Sequence, residues 1–141
     1  MKTILLDTNV ILDIALKREP HFANSAEVLR SIEKHQIKSF LSATSINDIY
    51  YIARKDHGHK ITIEFITNLI DIVDIAGVDK YIIINAINSE IKDFEDAIQH
   101  FAAIDTNCNI IITRNKSDFK NSGLQILTPE EFLIEIEKAT D

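Results

Sequence analysis

Five short apolar runs alternate along the chain with longer segments of helical periodicity, and this alternation constrains the fold more than any other feature. The runs are rich in isoleucine and leucine, and they cover residues 2–6, 37–41, 72–75, 109–113 and 124–127. Strands that are apolar on both faces are typical of a parallel sheet buried between helices. The sequence therefore predicts an α/β fold in which helices cover both faces of a parallel sheet.

The stretches between these runs predict helices. Apolar residues recur there every three or four positions, as on the buried face of a helix. In the segment 94–106, the expected buried stripe consists of Phe94, Ala97, Ile98, Phe101 and Ala102. The other predicted helices cover residues 9–17, 21–35, 44–55, 61–70 and 80–88, and a last helix begins at Pro129.

Length and composition indicate a single domain that spans residues 1–141. The 141 residues, 45% of them hydrophobic, suffice for one sheet with two helical layers, and no repeat or linker interrupts them. The start resembles neither a signal peptide nor a membrane span, so we expect a cytoplasmic protein without a membrane partner. The single Cys108 leaves no pair for an intrachain disulfide.

The net charge of −7 argues against a protein that binds duplex nucleic acid without regard to sequence. The charge is uneven: residues 1–60 carry nine Lys and Arg against seven Asp and Glu, a net +2, whereas residues 61–141 carry six against fifteen, a net −9. A hydrolase that holds phosphates through bound metal ions needs less positive charge of its own, because the ions supply it. The composition thus remains compatible with metal-dependent phosphate chemistry.

Polar residues follow two of the predicted strands, at the edge where an open parallel sheet binds its ligands. Asp7 comes directly after the first strand, and Thr113, Asn115 and Asp118 come after the fourth. Asp7 could instead cap the next helix, which is a common role of aspartate. Thr8 could also serve as that cap, and the Asp7 carboxylate would then be free.

Two further acidic sites lie at the starts of predicted helices. Asp48 lies early in one helix, where Ser45 and Asp48 also match the spacing of a capping box. Asp93, Glu95 and Asp96 begin another helix. The helix dipole favours acidic residues at this end, but three carboxylates within four residues repel one another unless a cation is near. We therefore expect one of these three to face a metal ion.

Together the carboxylates predict a site for Mg²⁺ or Mn²⁺, because these ions prefer carboxylate oxygens and water. Such ions orient a phosphodiester and activate the water that hydrolyses it. No Ser/His/Asp or Cys/His grouping in the sequence competes for the catalytic role. A rival interpretation is a phosphatase with Asp7 as nucleophile, but such an enzyme would need a second aspartate two residues on, where Asn9 stands.

Four segments, in this order, resemble PIN domains, especially the small bacterial proteins related to VapC-type toxins. The segments are DTNVILD, SATSINDIYYIARK, DFEDAIQHFAA, and ITRNKSDF followed by LTPEEF, and they extend over almost the whole chain. The resemblance implies a three-layer α/β/α sandwich around a parallel sheet of about five strands. It also implies an acidic pocket for Mg²⁺ or Mn²⁺, endonuclease activity on RNA, a homodimer, and a small antitoxin that covers the pocket.

The same resemblance implies roles for individual residues. Asp7, Asp96 and Asp118 match three carboxylates that serve the family as catalytic residues and metal ligands. The fourth position often holds Glu in the family and here holds Asp48, whose side chain is about one methylene shorter. The expected supporting residues are Thr113, Asn115, Asp93 and Asn9, and the candidates for RNA contact are Arg114, Lys116 and Arg54. The alternative is a PIN-like module that has lost catalysis and binds a protein partner.

Overall fold

In the computed structural model, five strands form one parallel sheet. The structure describes residues 2–140, without the side chain of residue 140. The strands are β1 (Ile4–Leu6), β2 (Ser39–Ser42), β3 (Asp74–Ala76), β4 (Ile110–Ile112) and β5 (Gln125–Leu127), and their order in the sheet is β3-β2-β1-β4-β5. Each strand overlaps one of the five apolar runs, so the predicted parallel sheet is confirmed.

Helices occupy most of the chain between these strands. They are α1 (Thr8–Ala15), α2 (Phe22–His35), α3 (Ala43–Ile72), α4 (Lys80–Ile87), α5 (Phe94–Asp105) and α6 (Pro129–Thr140). A short 3₁₀ helix, Lys116–Phe119, follows β4, and no sequence pattern predicted it. Among the described residues, no helix is both long and apolar enough to cross a membrane.

The long helix α3 consists of two helical segments that meet at Gly58. The backbone of Gly58 has φ +80° and ψ 172°, a conformation that is essentially restricted to glycine. The sequence predicted separate helices over residues 44–55 and 61–70. The break between them is confirmed, although the two segments follow each other without an intervening loop.

The side chains of the strands alternate between two apolar clusters, one on each face of the sheet. In β1, Ile4 and Leu6 belong to a cluster that α1, α2, α3 and α6 cover. Leu5 between them belongs to the opposite cluster, which also contains Ile111 of β4 and two alanines of α5. Helices therefore cover both faces, and the expected three-layer α/β/α sandwich is confirmed.

Helix α4 packs against α5 in a third apolar cluster. The buried residues of that cluster are Ile82, Ala86, Ile91, Ala97 and Ile98. This arrangement leaves an apolar face of α4 exposed, formed by Tyr81, Ile84 and Ile87. Tyr81 alone is 69% exposed.

The buried stripe of α5 begins later than the sequence predicted. Phe94, the first residue of the helix, is 50% exposed, so the prediction that it is buried is wrong. The reason is that the packed surface of α5 starts at Ala97, one turn further along, where the helix meets α4. In the first turn of α5, the exposed Phe94 is followed by the acidic Glu95 and Asp96.

We expect Gly58→Ala to lower the free energy of unfolding by about 1–3 kcal/mol, because a Cβ atom is strained at this backbone conformation. No atom lies within 4 Å of a Cβ placed at Gly58, so the cost is conformational and not steric. The matched control is Gly77→Ala, since Gly77 also has open space around its Cα and has no positive φ. Urea unfolding of both variants measures the difference, and equal losses would contradict this account.

Candidate active site

The order of the strands reverses next to β1. From β1 the chain builds β2 and β3 on one side, and it then returns to build β4 and β5 on the other side. In open α/β sheets, ligands bind at such a reversal, beyond the carboxyl ends of the strands. Asp7 directly follows β1 and Thr113 directly follows β4, so these two residues flank the reversal.

Asp7 is a buried carboxylate with both oxygens hydrogen-bonded. It is 4% exposed. Gln99 Nε2 donates to Oδ1 at 3.1 Å, and Thr113 Oγ1 donates to Oδ2 at 2.8 Å. Its side chain makes no capping hydrogen bond to α1, so the capping alternative is excluded. Burial raises the pKa of Asp7, and the hydrogen bonds from Thr113 and Gln99 oppose that rise.

All four predicted catalytic carboxylates line one cleft of about 380 Å³, which we call the acidic cleft. Asp48 comes from α3, Asp96 from α5 and Asp118 from the 3₁₀ helix after β4. The full lining is Asp7, Thr8, Asn9, Leu12, Asp48, Ile52, Asp93, Glu95, Asp96 and Asp118. Two predicted supporting residues, Asn9 and Asp93, are thus also at the cleft.

The three acidic residues at the start of α5 have different surroundings. Asp93 caps the helix, because its Oδ1 accepts a hydrogen bond from the backbone N–H of Asp96 at 2.9 Å. The Asp96 side chain is half-buried in the cleft, and its pKa is raised to about 7. Burial is the largest cause, followed by repulsion from Asp93, Asp7 and then Asp118. Asp96 is therefore the residue of the three that best fits the predicted metal ligand.

Glu95 also lines the acidic cleft, although the sequence analysis named it only as one of three acidic residues at the start of α5. Burial raises its pKa to about 7, and so do its hydrogen bond with Asp48 and the charge of Asp48. Thr8 Oγ1 donates to Glu95 Oε1 at 3.4 Å. The one sequence signal was its membership in the acidic cluster, which does not reveal the direction in which each side chain points.

Asp48 faces the cleft because it is not needed as a cap. The Ser42 hydroxyl caps α3 by accepting a hydrogen bond from the backbone N–H of Ser45 at 3.3 Å. The Ser45 side chain is instead buried against Thr8, with 2.7 Å between the two hydroxyl oxygens. The capping-box interpretation of Ser45 and Asp48 is therefore wrong, because the N-cap of α3 is Ser42, three residues before Ser45.

Gln99 is a site residue that sequence reasoning missed. Its side chain is fully buried, and its Oε1 accepts a hydrogen bond from the backbone N–H of Thr8 at 3.3 Å. Gln99 lies three residues after Asp96, among the buried Ile98 and Ala102 of α5. A polar residue in an apolar stripe, one turn from an acidic cluster, was the available signal.

The acidic cleft offers the chemistry that a hard divalent cation requires. Its donors are carboxylate oxygens. Burial, followed by repulsion between like charges, raises the pKa of Glu95 and Asp96, and a bound cation would stabilise their ionised forms. The side chains do not form a ready-made coordination shell: within residues 2–140, no three His, Cys, Asp or Glu side chains are grouped so that they could hold an ion as they stand. Ion binding would therefore require other carboxylates of the cleft to rotate towards Asp7, whose own two oxygens are held by hydrogen bonds.

Comparison with known proteins identifies the family. A family model described as the PIN domain matches residues 3–117. The chain belongs to the PIN-domain family. Ribonuclease VapC1 of Aquifex aeolicus (strain VF5) is 29% identical over 133 residues, which cover 92% of each protein.

Solved structures share the PIN fold. A toxin–antitoxin complex from Klebsiella pneumoniae contains a chain that superposes with a TM-score of 0.69 at 23% identity, over 89% of this chain and 97% of that one. FitAcB from Neisseria gonorrhoeae also gives a TM-score of 0.69, at 18% identity over 90% and 98% of the two chains. The resemblance seen in the sequence is thereby confirmed for family and fold.

The basic residues predicted to contact RNA lie outside the lining of the acidic cleft. Arg114 pairs with the fully buried Asp13, since its Nε and Nη2 donate to the two carboxylate oxygens at 2.7 Å and 3.1 Å. Lys116 pairs with Glu131 at 3.0 Å, and the Arg54 guanidinium lies 5.9 Å from the centre of a tyrosine ring. Their role as RNA contacts stays a prediction.

The loop after β4 supports Asp7 from one side. Thr113 is fully buried and donates to the Asp7 carboxylate, as its predicted supporting role requires. Asn115 contributes through its backbone, whose N–H donates to Thr113 Oγ1 at 3.1 Å, while its side chain is exposed. The two predicted supporting residues of this loop therefore form one hydrogen-bonded chain that leads to Asp7.

The raised pKa values predict how pH changes the stability of the metal-free protein. Glu95 and Asp96 have pKa values of about 7 in the folded chain, above their ordinary values, so the folded state binds more protons than the unfolded state. Their contribution to stability is therefore fully present below about pH 4 and is lost as pH rises through about 7. With EDTA present, Asp96→Asn should reduce this loss between pH 5 and pH 8.

Thermal unfolding at the two pH values measures the effect. Asp105→Asn is the matched control, because Asp105 is an exposed aspartate at the other end of the same helix. We expect the control to retain the full difference in melting temperature between pH 5 and pH 8. An unchanged difference in Asp96→Asn would show that repulsion in the cleft does not govern its stability.

Proposed function

We propose that this protein is a Mg²⁺- or Mn²⁺-dependent endoribonuclease that hydrolyses RNA phosphodiester bonds at the acidic cleft. The observation that carries the proposal is the buried Asp7 carboxylate at the strand reversal, with Asp48, Asp96 and Asp118 lining the same cleft. Membership in the PIN-domain family and the similarity to Ribonuclease VapC1 support it.

In this proposal, Asp7, Asp48, Asp96 and Asp118 hold the ion, and Glu95 is close enough to Asp48 to assist. A divalent ion bound there supplies a Lewis acid that orients the phosphodiester and makes water a better nucleophile. Asp48 is shorter than the Glu that the family often has at this position, and the Glu95 carboxyl in the same cleft offers further oxygen donors beside it.

Other side chains of the cleft orient these carboxylates and the substrate. Thr113 and Gln99 each donate a hydrogen bond to one Asp7 oxygen and fix the rotation of the carboxylate. The Asn9 side chain lines the cleft, and its oxygen accepts a hydrogen bond from Arg18 at 3.3 Å. We propose that the amide N–H of Asn9 donates to a phosphate oxygen of the substrate. Leu12 and Ile52 form an apolar part of the cleft wall.

We expect the purified protein to cleave RNA with Mn²⁺. The cleavage rate of Asp7→Asn and of Asp96→Asn should fall by at least about 100-fold, because each substitution removes a charge that would stabilise the bound ion. The substrates are a mixed set of structured and single-stranded RNAs, with an EDTA control. Asp105→Asn should cleave as the wild type does, since it removes the same charge from the opposite end of α5.

Each result of this assay separates one alternative. Cleavage that persists in EDTA or in Asp7→Asn would refute the carboxylate mechanism. Folded wild-type protein that cleaves none of the RNAs would favour the non-catalytic binding module, in which Asp7→Asn keeps its affinity for a partner. Turnover of a phosphomonoester, lost in Asp7→Asn, would favour the phosphatase.

We also propose that the protein is the toxin of a toxin–antitoxin pair and acts as a homodimer. Support comes from the PIN-fold structures it resembles, among which are a toxin–antitoxin complex from Klebsiella pneumoniae and VapBC2 from Rickettsia felis. The exposed apolar face of α4, with Tyr81, Ile84 and Ile87, offers a surface that association between subunits would bury. A small antitoxin protein would be the second partner, beside the RNA substrate.

If the protein is such a toxin, its induction in a bacterial host should stop growth within a few generations. Asp7→Asn should restore growth at equal protein level, because the loss of cleavage removes the toxicity. Asp105→Asn should remain toxic. Growth curves with immunoblots for the protein level measure this, and toxicity that persists in Asp7→Asn would separate the arrest from RNA cleavage.

A further inference from the structure

The Gln99 side chain connects two parts of the acidic cleft. Its Nε2 donates to Asp7 Oδ1 at 3.1 Å, and its Oε1 accepts from the backbone N–H of Thr8 at 3.3 Å. The side chain is fully buried, so both ends of the amide rely on these partners. One side chain therefore holds both the Asp7 carboxylate and the backbone that follows it.

Gln99 also lies on the helix that carries Asp96, three residues later, and residues three apart share one side of a helix. The two hydrogen bonds therefore tie the end of β1 to the same side of α5 from which Asp96 reaches into the cleft. Asp7 and Asp96 have like charges and do not hold each other in place. The neutral amide of Gln99 connects the two elements without neutralising either carboxylate.

We propose that Gln99 is a positioning residue that fixes the orientation of the Asp7 carboxylate and its distance from the helix that carries Asp96, and thereby makes the cleft selective for Mg²⁺ over Ca²⁺. The inference rests on the proposed metal-dependent function. Mg²⁺ requires near-octahedral ligands at about 2.0–2.1 Å, whereas Ca²⁺ accepts irregular shells at about 2.3–2.6 Å. A cleft in which Asp7 is held at a fixed distance from α5 therefore favours Mg²⁺, and a cleft without this hydrogen-bonded connection loses that preference.

The test is calorimetric titration of the full chain with Mg²⁺ and, separately, with Ca²⁺, which needs no RNA and no turnover. In Gln99→Met, a side chain of similar size without an amide, we expect Mg²⁺ affinity to fall by about 10- to 100-fold and Ca²⁺ affinity by less than about threefold. The measured quantity is the ratio of the two affinities.

Two further variants keep the test decisive. Gln99→Leu also removes both hydrogen bonds but has a branched shape that Gln99→Met lacks. A fall of the Mg²⁺/Ca²⁺ ratio in both variants therefore traces to the lost amide and not to the shape of the new side chain. Ile32→Val is the control for stability, because Ile32 is a buried residue of α2 in the apolar cluster on one face of the sheet. The ratio should be unchanged in this control.

The outcomes separate the positioning role from the proposed function. If the wild type binds Mg²⁺ and both Gln99 variants keep the wild-type ratio, Gln99 is not the positioning residue and the metal site stands. If the wild type binds neither ion, both the metal-dependent function and the positioning role of Gln99 are refuted. A fall in the ratio for both Gln99 variants, with none in Ile32→Val, supports the proposal. A loss of stability alone would lower the affinities for both ions equally and leave the ratio unchanged.

Discussion

The hydrogen-bonded, buried Asp7 carboxylate is the feature on which the rest of the site depends. Thr113 after β4 and Gln99 on α5 each satisfy one of its oxygens, so a single side chain joins β1, β4 and α5 at the strand reversal. Both donors are neutral. They offset the cost of burying a polar group but leave the negative charge uncompensated by a cationic partner, and that charge is what a bound cation can use.

The segment DTNVILD contains two buried aspartates with opposite surroundings. Asp13 pairs with Arg114, and Arg18 lies 3.8 Å from the same carboxylate, so its charge is matched within the chain. This ion pair holds the loop after β4 against α1, because the fully buried Asp13 carboxylate would be strongly destabilising without a cationic partner. Asp7 has neutral partners instead. The contrast distinguishes Asp13, whose charge is matched within the chain, from Asp7, the carboxylate proposed to bind a metal ion, more clearly than sequence position does.

The sequence predicted the elements well and the direction of individual side chains less well. All five strands appear within or beside their predicted runs, because a buried strand leaves a local apolar signature. The four carboxylates were also placed at one edge, since parallel strands end there together. The sequence did not correctly predict the surroundings of Phe94, Glu95 and Gln99. The burial of these side chains depends on how α5 packs against α4 and meets the end of β1.

The sequence by itself determined the α/β alternation, the covered parallel sheet and the acidic residues that follow strands or begin helices. These features are local, since periodicity and capping are set by residues within about a turn of one another. The tertiary structure alone decided which carboxylates meet and what orients them. The hydrogen bonds to Asp7 connect residues 92 and 106 positions apart, and local spacing cannot specify contacts over such distances.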